Sequence, residues 1–262
     1  MSNVEKVCDK NFDSLIERFE KKVYGSAKGD LRLELIKKDY EDFLPDVLKN
    51  SGQHILDAGA GFGQISHELS KYNHKIILCD VSKKMLKKSA DIIGSSSDNS
   101  NIEYIHSAFQ DLPSSYYNQF DLVISHAVLE WLAEPKKSLQ KLLKFIKPGG
   151  YLSLMFYNKN SLIYYNSIRG NLKKILKKDF EGYPNSLTPL HPLIPKDVEQ
   201  WLNDVELKII NKTGIRCFYD YIHWEVQKQR PYEDILKLEK TYNRTEPFAS
   251  MGRYIHLICK ST

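Results

Sequence analysis

Ile55-Leu56-Asp57-Ala58-Gly59-Ala60-Gly61-Phe62-Gly63 is an apolar run that ends in an acid and a G-x-G-x-G turn. A helical pattern follows, and a second apolar run, Ile76-Ile77-Leu78-Cys79-Asp80, ends in another acid. Glycines belong in such a turn because the backbone must approach a ligand and adopt angles that a β-carbon forbids. The carboxylate that ends the second strand can accept both hydroxyls of a ribose. The spacing is that of a nucleoside-binding βαβ unit. It is not the dinucleotide fingerprint, because Gln64 stands where G-x-G-x-x-G requires a third glycine. A compact turn with no phosphate-binding lysine suits a cofactor that carries a ribose and no phosphate, and S-adenosylmethionine fits that description.

The 262 residues suffice for one large domain, or one domain with an elaborate cap. Hydrophobic residues at 42% and charged residues at 27% are ordinary for a soluble globular chain. Residues 1–30 hold no apolar stretch ahead of a cleavage site, and no long apolar run occurs elsewhere. That points away from secretion and membrane insertion and toward the cytoplasm. Cys8, Cys79, Cys217 and Cys259 are scattered without a C-x-x-C pair, so they read as buried free thiols in a reducing compartment. A net charge of +5 permits an anionic partner without requiring one.

Residues 12–24 space Phe12, Leu15, Ile16, Phe19 and Val23 as a helix that stops at Gly25. Residues 24–30 read as a loop. A second helix carries Leu31, Leu35, Ile36, Phe43 and Leu44, and the two helices are expected to fold over the open edge of the nucleoside-binding unit. Strands are expected near 55–56, 75–80, 102–106, 122–126, 151–157, 206–213 and 253–260. Helices fit 64–72, 83–93, 137–146 and 231–242, the third ending at the stop signal Pro148-Gly149-Gly150. This alternation implies a parallel sheet with helices on both faces and a ligand site beyond the carboxyl ends of the strands. Asp57, Asp80, His126 and Tyr157 fall at those ends. Ser95–Ser100 is a short polar turn.

Residues 161–200 interrupt the alternation. In 161–178, Arg169, Lys173, Lys174, Lys177 and Lys178 occur with no acid, interleaved with Leu172, Ile175 and Leu176. A helix there would have one apolar and one basic face. Pro184, Pro189, Pro192 and Pro195 make the second half an ordered loop or lid. A run of charge is usually a solvated face. Here it lies in the substrate-side insertion beside Tyr164 and Tyr165, a combination suited to phosphate neutralisation and base stacking on RNA.

Asp57 reads equally as a brace for the turn and as a ligand contact. Phe109 with Gln110 or Asp111 can offer a nucleobase an apolar wall and a polar partner, although Phe109 fits a core position as well. His126 is open to a base, cofactor or packing role, and the sequence favours no base. His54, His67, His74 and His106 do not converge on a metal site.

Several segments resemble one family. They are Asn11-Phe12-Asp13, the run from Tyr24 to Arg32, the run from Ser125 to Trp131, Leu152 to Asn158, Lys212 to Arg216, and Gly252 to His256. Together they resemble the bacterial tRNA 5-carboxymethoxyuridine methyltransferase family over almost the full chain. The resemblance implies a class I S-adenosylmethionine-dependent methyltransferase: a Rossmann-like α/β fold with a mostly parallel seven-stranded sheet, helices on both faces and an inserted substrate cap. The expected division is a helical cap at 1–48, a cofactor-binding core at 49–160, a basic insertion or lid at 161–203, and strands and a helix at 204–262 completing the same domain.

By the same resemblance, the cofactor contacts fall on Arg32, Gly59, Ala60, Asp80, Phe109, Gln110 and His126, with Arg32 facing the methionine carboxylate. Ala60 and Phe62 replace the glycine and charged residue that relatives can carry, and Phe109 stands where a smaller residue can occur. The implied acceptor is a wobble-uridine carboxylate in the tRNA anticodon stem-loop. Being already ionised, it needs no general base. It does need a cation to orient it, for which Arg216 and Arg253 are the candidates, with Lys173, Lys174, Lys177 and Lys178 for the tRNA backbone. No membrane or metal partner is expected. The alternatives are a small-molecule carboxyl or O-methyltransferase and a non-catalytic RNA-binding module.

Overall fold

The computed structural model describes residues 9, 11–13, 15–20, 25–94, 101–180, 187–189, 191–205 and 207–262. Cys8, Val23, Tyr24, Ser95–Ser100, Pro184 and Glu206 lie outside the described residues. Seven strands form one sheet: β1 (His54–Ala58), β2 (Lys75–Asp80), β3 (Ile102–His106), β4 (Phe120–His126), β5 (Ile146–Tyr157), β6 (Lys208–Ile215) and β7 (Tyr254–Lys260). Their order is β3-β2-β1-β4-β5-β7-β6. The first five run parallel, and β7 is inserted antiparallel between β5 and β6. Strands β1 and β4 are near-continuous apolar runs because both of their faces are covered.

Eleven α-helices are present among the described residues: α1 (Ile16–Phe19), α2 (Ala27–Phe43), α3 (Gln64–Ser70), α4 (Lys83–Gly94), α5 (Pro135–Leu143), α6 (Lys159–Ile168), α7 (Leu172–Leu176), α8 (Pro195–Asn203), α9 (Trp224–Lys228), α10 (Tyr232–Tyr242) and α11 (Phe248–Met251). Helix α2 lies on a face of the sheet and not over its edge. Its Leu31, Leu35, Ile36 and Tyr40 stripe packs with Ile55, Leu122, Ile124, Met155 and Ile258 in one core. Each such aliphatic side chain contributes about 1.5–3 kcal/mol on burial. The opposite face is covered by Leu139 and Leu142 of α5 and Val198 and Leu202 of α8, against Val123, Leu152, Leu154 and Leu257.

Four expectations are corrected. Helix α2 begins at Ala27, so half of the expected loop is helical: Ser26 Oγ accepts the Gly29 N–H at 3.3 Å as an N-cap. Helix α1 starts at Ile16, and Phe12 precedes it. Helix α5 ends at Leu143, and Ile146 pairs with Phe120 inside β5. Pro148-Gly149-Gly150 therefore falls within the strand, where the register against β4 shifts between Phe120 and Leu122. In the insertion, Gly170 at φ +72° separates α6 from α7, and the expected apolar face is not buried, with Leu172 56% and Leu176 81% exposed. Among the described residues, no helix is long and apolar enough to cross a membrane.

Candidate active site

Strand β1 delivers the glycine turn to the carboxyl edge of the sheet. Gly59, Gly61 and Gly63 have φ of +76°, +56° and +65°, angles that L side chains resist. Gly59 and Ala60 donate their N–H groups to the Cys79 carbonyl at 2.8 and 3.1 Å, which ties the turn to β2. A β-carbon on Gly59 would stand 2.5 Å from Val128 Cγ2, and one on Gly63 would stand 2.6 Å from Ser89 Oγ. Asp80, the last residue of β2, accepts the Gly61 N–H at Oδ2 (2.9 Å) and the Ser82 N–H at Oδ1 (2.8 Å). Burial pushes its carboxyl up from the ordinary range, against the pull of those two donors.

One cavity opens over this edge. Arg32, Gly59, Ala60, Asp80, Phe109, Gln110 and His126, the seven positions expected to face the cofactor, all line it. Asp57 lines it as well and accepts the Ser66 hydroxyl at 2.6 Å, so it braces α3 while reaching the cavity. Burial raises the Asp57 carboxyl to about 7. Phe109 is 3% exposed and belongs to the core and the cavity wall together. Burial, with the Arg32 guanidinium adding to it, holds His126 well below its usual pKa, so it is neutral.

Sequence reasoning missed several contributors. Gln64, noted above only as the absent third glycine, accepts Arg32 Nη2–H at 2.9 Å and fixes that guanidinium at the cavity wall. Asp9 accepts Gln110 Nε2–H at 3.1 Å and the Ala133 N–H at 2.8 Å, while Phe12 packs edge-on to Trp131 at 4.8 Å. Asp9, Phe12 and Phe19 line the cavity, so the chain ahead of α2 covers its mouth. No periodicity reveals such contacts, because they join residues from 32 to 124 positions apart.

Arg216 and Arg253 follow β6 and precede β7 at the same edge, and they converge on one carboxylate that was also missed. Asp220 lies 3.0 Å from Arg216 Nε, 3.4 Å from Arg253 Nε and 2.9 Å from Lys28 Nζ. Burial opposes its ionisation, but the three cations hold it down at about 2. Three cations thus surround a single buried acid. The Arg253 guanidinium lies 4.2 Å from the Tyr165 ring centre and 5.4 Å from that of Tyr157. Its Nη1 is buried with no hydrogen-bond partner. Tyr254 joins the two regions: it lines the cavity, stands edge-on to Tyr157 at 5.3 Å, and lies under the Arg216 guanidinium at 5.4 Å. Lys173, Lys174, Lys177 and Lys178 do not enter the cavity but sit on and just beyond α7. Arg169 connects them to the cluster, its guanidinium 4.2 Å from the Tyr165 ring. Among the described residues, no three His, Cys, Asp or Glu side chains are placed to hold a metal ion.

Residues 49–232 match the methyltransferase domain family. The chain is 36% identical over 252 residues to tRNA 5-carboxymethoxyuridine methyltransferase of Escherichia coli (strain K12), covering 96% of both proteins. The chain belongs to this methyltransferase family. A more distant relative, ubiquinone biosynthesis O-methyltransferase of Coxiella burnetii (strain RSA 331 / Henzerling II), is 24% identical over 187 residues, covering 70% of this chain and 75% of that protein. The fold matches magnesium protoporphyrin IX methyltransferase from Synechocystis PCC 6803 with bound SAH, at TM-score 0.64 and 15% identity over 96% of each chain. S-adenosylmethionine is the cofactor of this methyltransferase family. The cavity suits it on the structure's own terms: a cradle that a β-carbon on Gly59 would fill, a half-buried acid at Asp80 for the ribose, and the apolar wall of Phe109 for a base.

Proposed function

We propose that this chain methylates the carboxylate of 5-carboxymethoxyuridine at the wobble position of tRNA, giving the methyl ester, in the cytoplasm. The observation that carries the reading is the buried, unpartnered Nη1 of Arg253 beside the methyl-donor cavity, in a cluster where cations outnumber acids. A carboxylate ligand supplies the missing acceptor and charge. The 36% identity to a tRNA 5-carboxymethoxyuridine methyltransferase, over 96% of both chains, supports this carboxylate as the acceptor.

Bound in the cavity, S-adenosylmethionine supplies an activated methyl group on a sulfonium. The chain's own residues do the rest by placement. Asp80 and the glycine turn hold the ribose, and Arg32, fixed by Gln64, holds the amino-acid end. Tyr254, which lines the cavity, offers a ring for a base, and Arg253 with Arg216 orients the acceptor carboxylate. The acceptor is ionised at neutral pH, so no side chain has to take a proton. Rate comes from alignment and exclusion of water.

The basic segment continues from this pocket through Arg169 to Lys173, Lys174, Lys177 and Lys178, a path suited to the phosphates of an anticodon stem-loop. Nucleoside mass analysis of tRNA from cells with and without the gene tests the proposal. Loss of the wobble methyl ester, with accumulation of its free acid, is expected on deletion. Unchanged tRNA, with methylation of a small carboxylic acid by the purified chain, would replace this reading with a small-molecule methyltransferase.

A further inference from the structure

A file of hydrogen bonds runs from helix α2 through the sheet to the cofactor cavity. Asp39 Oδ2 lies 2.5 Å from His256 Nδ1, His256 Nε2 lies 2.8 Å from Ser153 Oγ, and Ser153 Oγ lies 2.8 Å from His126 Nε2. The register builds it. His126, Met155 and His256 are lateral neighbours on β4, β5 and β7, and Ser153 sits two residues before Met155, on the same face. Asp39, Ser153 and His256 are each fully buried, and Tyr40 stacks on the His256 ring at 6.3 Å.

The direction of each hydrogen bond follows from counting donors. Asp39 also accepts Thr213 Oγ1–H at 2.7 Å and Arg244 Nη2–H at 2.6 Å, so it is an ionised acceptor and the His256 proton sits on Nδ1. In its Nδ1–H tautomer the His256 ring offers a lone pair at Nε2. The Ser153 hydroxyl donates to it and accepts from His126 Nε2–H. That leaves the other ring nitrogen, Nδ1, as the lone pair of a histidine that lines the cavity with Arg32 and Asp57.

We infer that Asp39 and His256 are positioning residues that act through Ser153 to hold His126 in the tautomer whose Nδ1 accepts a hydrogen bond, and that the group donating it is the alkylammonium of the cofactor's amino-acid end. The inference rests on the methyl-donor reading of the cavity and is independent of the identity of the acceptor. A file running the other way, with His256 charged, would present His126 Nδ1–H as a donor suited to a carboxylate.

The test uses the full chain labelled with 15N-histidine, with S-adenosylhomocysteine and methylthioadenosine as probes. The imidazole nitrogen spectrum is expected to show His126 protonated at Nε2 and bare at Nδ1, with Nδ1 responding to S-adenosylhomocysteine. Ser153→Ala and Asp39→Asn are expected to weaken S-adenosylhomocysteine about tenfold, the size of one hydrogen bond to a charged group. They should raise KM for the methyl donor in the same ratio while leaving kcat within about twofold of wild type. Methylthioadenosine lacks the amino-acid end and should bind wild type and Ser153→Ala alike. Ser153→Thr, which keeps the hydroxyl, should recover most of the lost affinity. Ser125→Ala removes a buried hydroxyl that has no hydrogen-bond partner, and it should change neither ligand. A wild-type His126 protonated at Nδ1 overturns the inference and needs no variant to fold. So does a Ser153→Ala chain with unchanged tautomer and affinity, or one that loses both probes equally. Failure of wild type to bind either probe would instead remove the donor-cavity reading and the inference with it.

Discussion

Asp80 Oδ2 accepts the Gly61 N–H at 2.9 Å, so the acid that ends β2 and the glycine turn that follows β1 are one hydrogen-bonded unit. The acid is therefore in place before any ribose arrives, and its other oxygen is steadied by the Ser82 N–H. Asp80→Asn replaces an acceptor with a group that must also donate, opposite two backbone donors. Affinity for S-adenosylhomocysteine is expected to fall about tenfold to a hundredfold, matching about 1.5–3 kcal/mol for a hydrogen bond to a charged group. Titration calorimetry reads it, and an unchanged Kd would remove Asp80 from the ribose site.

Gly63 makes a second prediction from the same turn. At φ +65°, with a β-carbon position 2.6 Å from Ser89 Oγ and 2.7 Å from Leu78 Cδ2, Gly63→Ala combines backbone strain with overpacking. A loss of about 2 kcal/mol or more is expected. Thermal melting of the unliganded chain checks it, since the effect is on folding and precedes any loss of cofactor binding.

These two positions were legible in the sequence because their constraint is local. A glycine needing positive φ and an acid ending a strand leave their mark within a few residues. The Pro148-Gly149-Gly150 segment shows where that locality misleads. The turn-forming residues are real, but Ile146 pairs with Phe120, so β5 accommodates the glycines as an irregularity near its start. Periodicity cannot separate the last turn of a helix from the first residues of a buried strand when both are apolar. The Asp220 cluster was half legible. Both arginines stood out by resemblance, yet the acid that gathers them lies in a turn between β6 and α9 with nothing periodic around it. Ser153 and His256 looked like ordinary strand residues, since nothing in a strand's own pattern reveals that three adjacent strands align polar groups.

Arg253 separates donor binding from acceptor binding. Arg253→Lys keeps a positive charge near Asp220 but removes the planar fork and its stacking on Tyr165. The ratio kcat/KM for tRNA is expected to drop about tenfold to a hundredfold, on the scale of 1.5–3 kcal/mol for a charge-assisted hydrogen bond. S-adenosylhomocysteine affinity should stay within about twofold. Equal losses in both measurements would mean that Arg253 shapes the whole edge of the sheet and not the acceptor site.

Glu130 carries a pH prediction. Its Oε1 accepts the Tyr157 N–H at 3.1 Å, and burial pushes its carboxyl up to about 8. A raised carboxyl binds more protons folded than unfolded. Its contribution to stability is therefore complete below the unfolded value of 4.5 and declines as pH rises toward about 8. Glu130→Gln removes this titration while keeping the acceptor oxygen. The variant should gain on wild type steadily from pH 5 to pH 8.5 in paired melting curves. A constant difference across that range would show that Glu130 ionises normally.

The lysines at the end of the insertion bear on how the tRNA is held. Lys173, Lys177 and Lys178 are exposed, and Arg169 links their segment to the Arg253 pocket through Tyr165. If they neutralise phosphates, each contact releases a counterion on binding, with a slope of about 0.7–0.9 in log affinity per log salt. Replacing Lys173, Lys174, Lys177 and Lys178 together with alanine should weaken tRNA binding at low salt and flatten the salt dependence by up to about 3 units of slope. Binding to S-adenosylhomocysteine should not change, because none of the four lines the cavity. Filter binding across a salt series measures both quantities. A parallel shift with unchanged slope would assign the loss to shape, and an identical curve would leave α7 a solvated helix with no part in recognition.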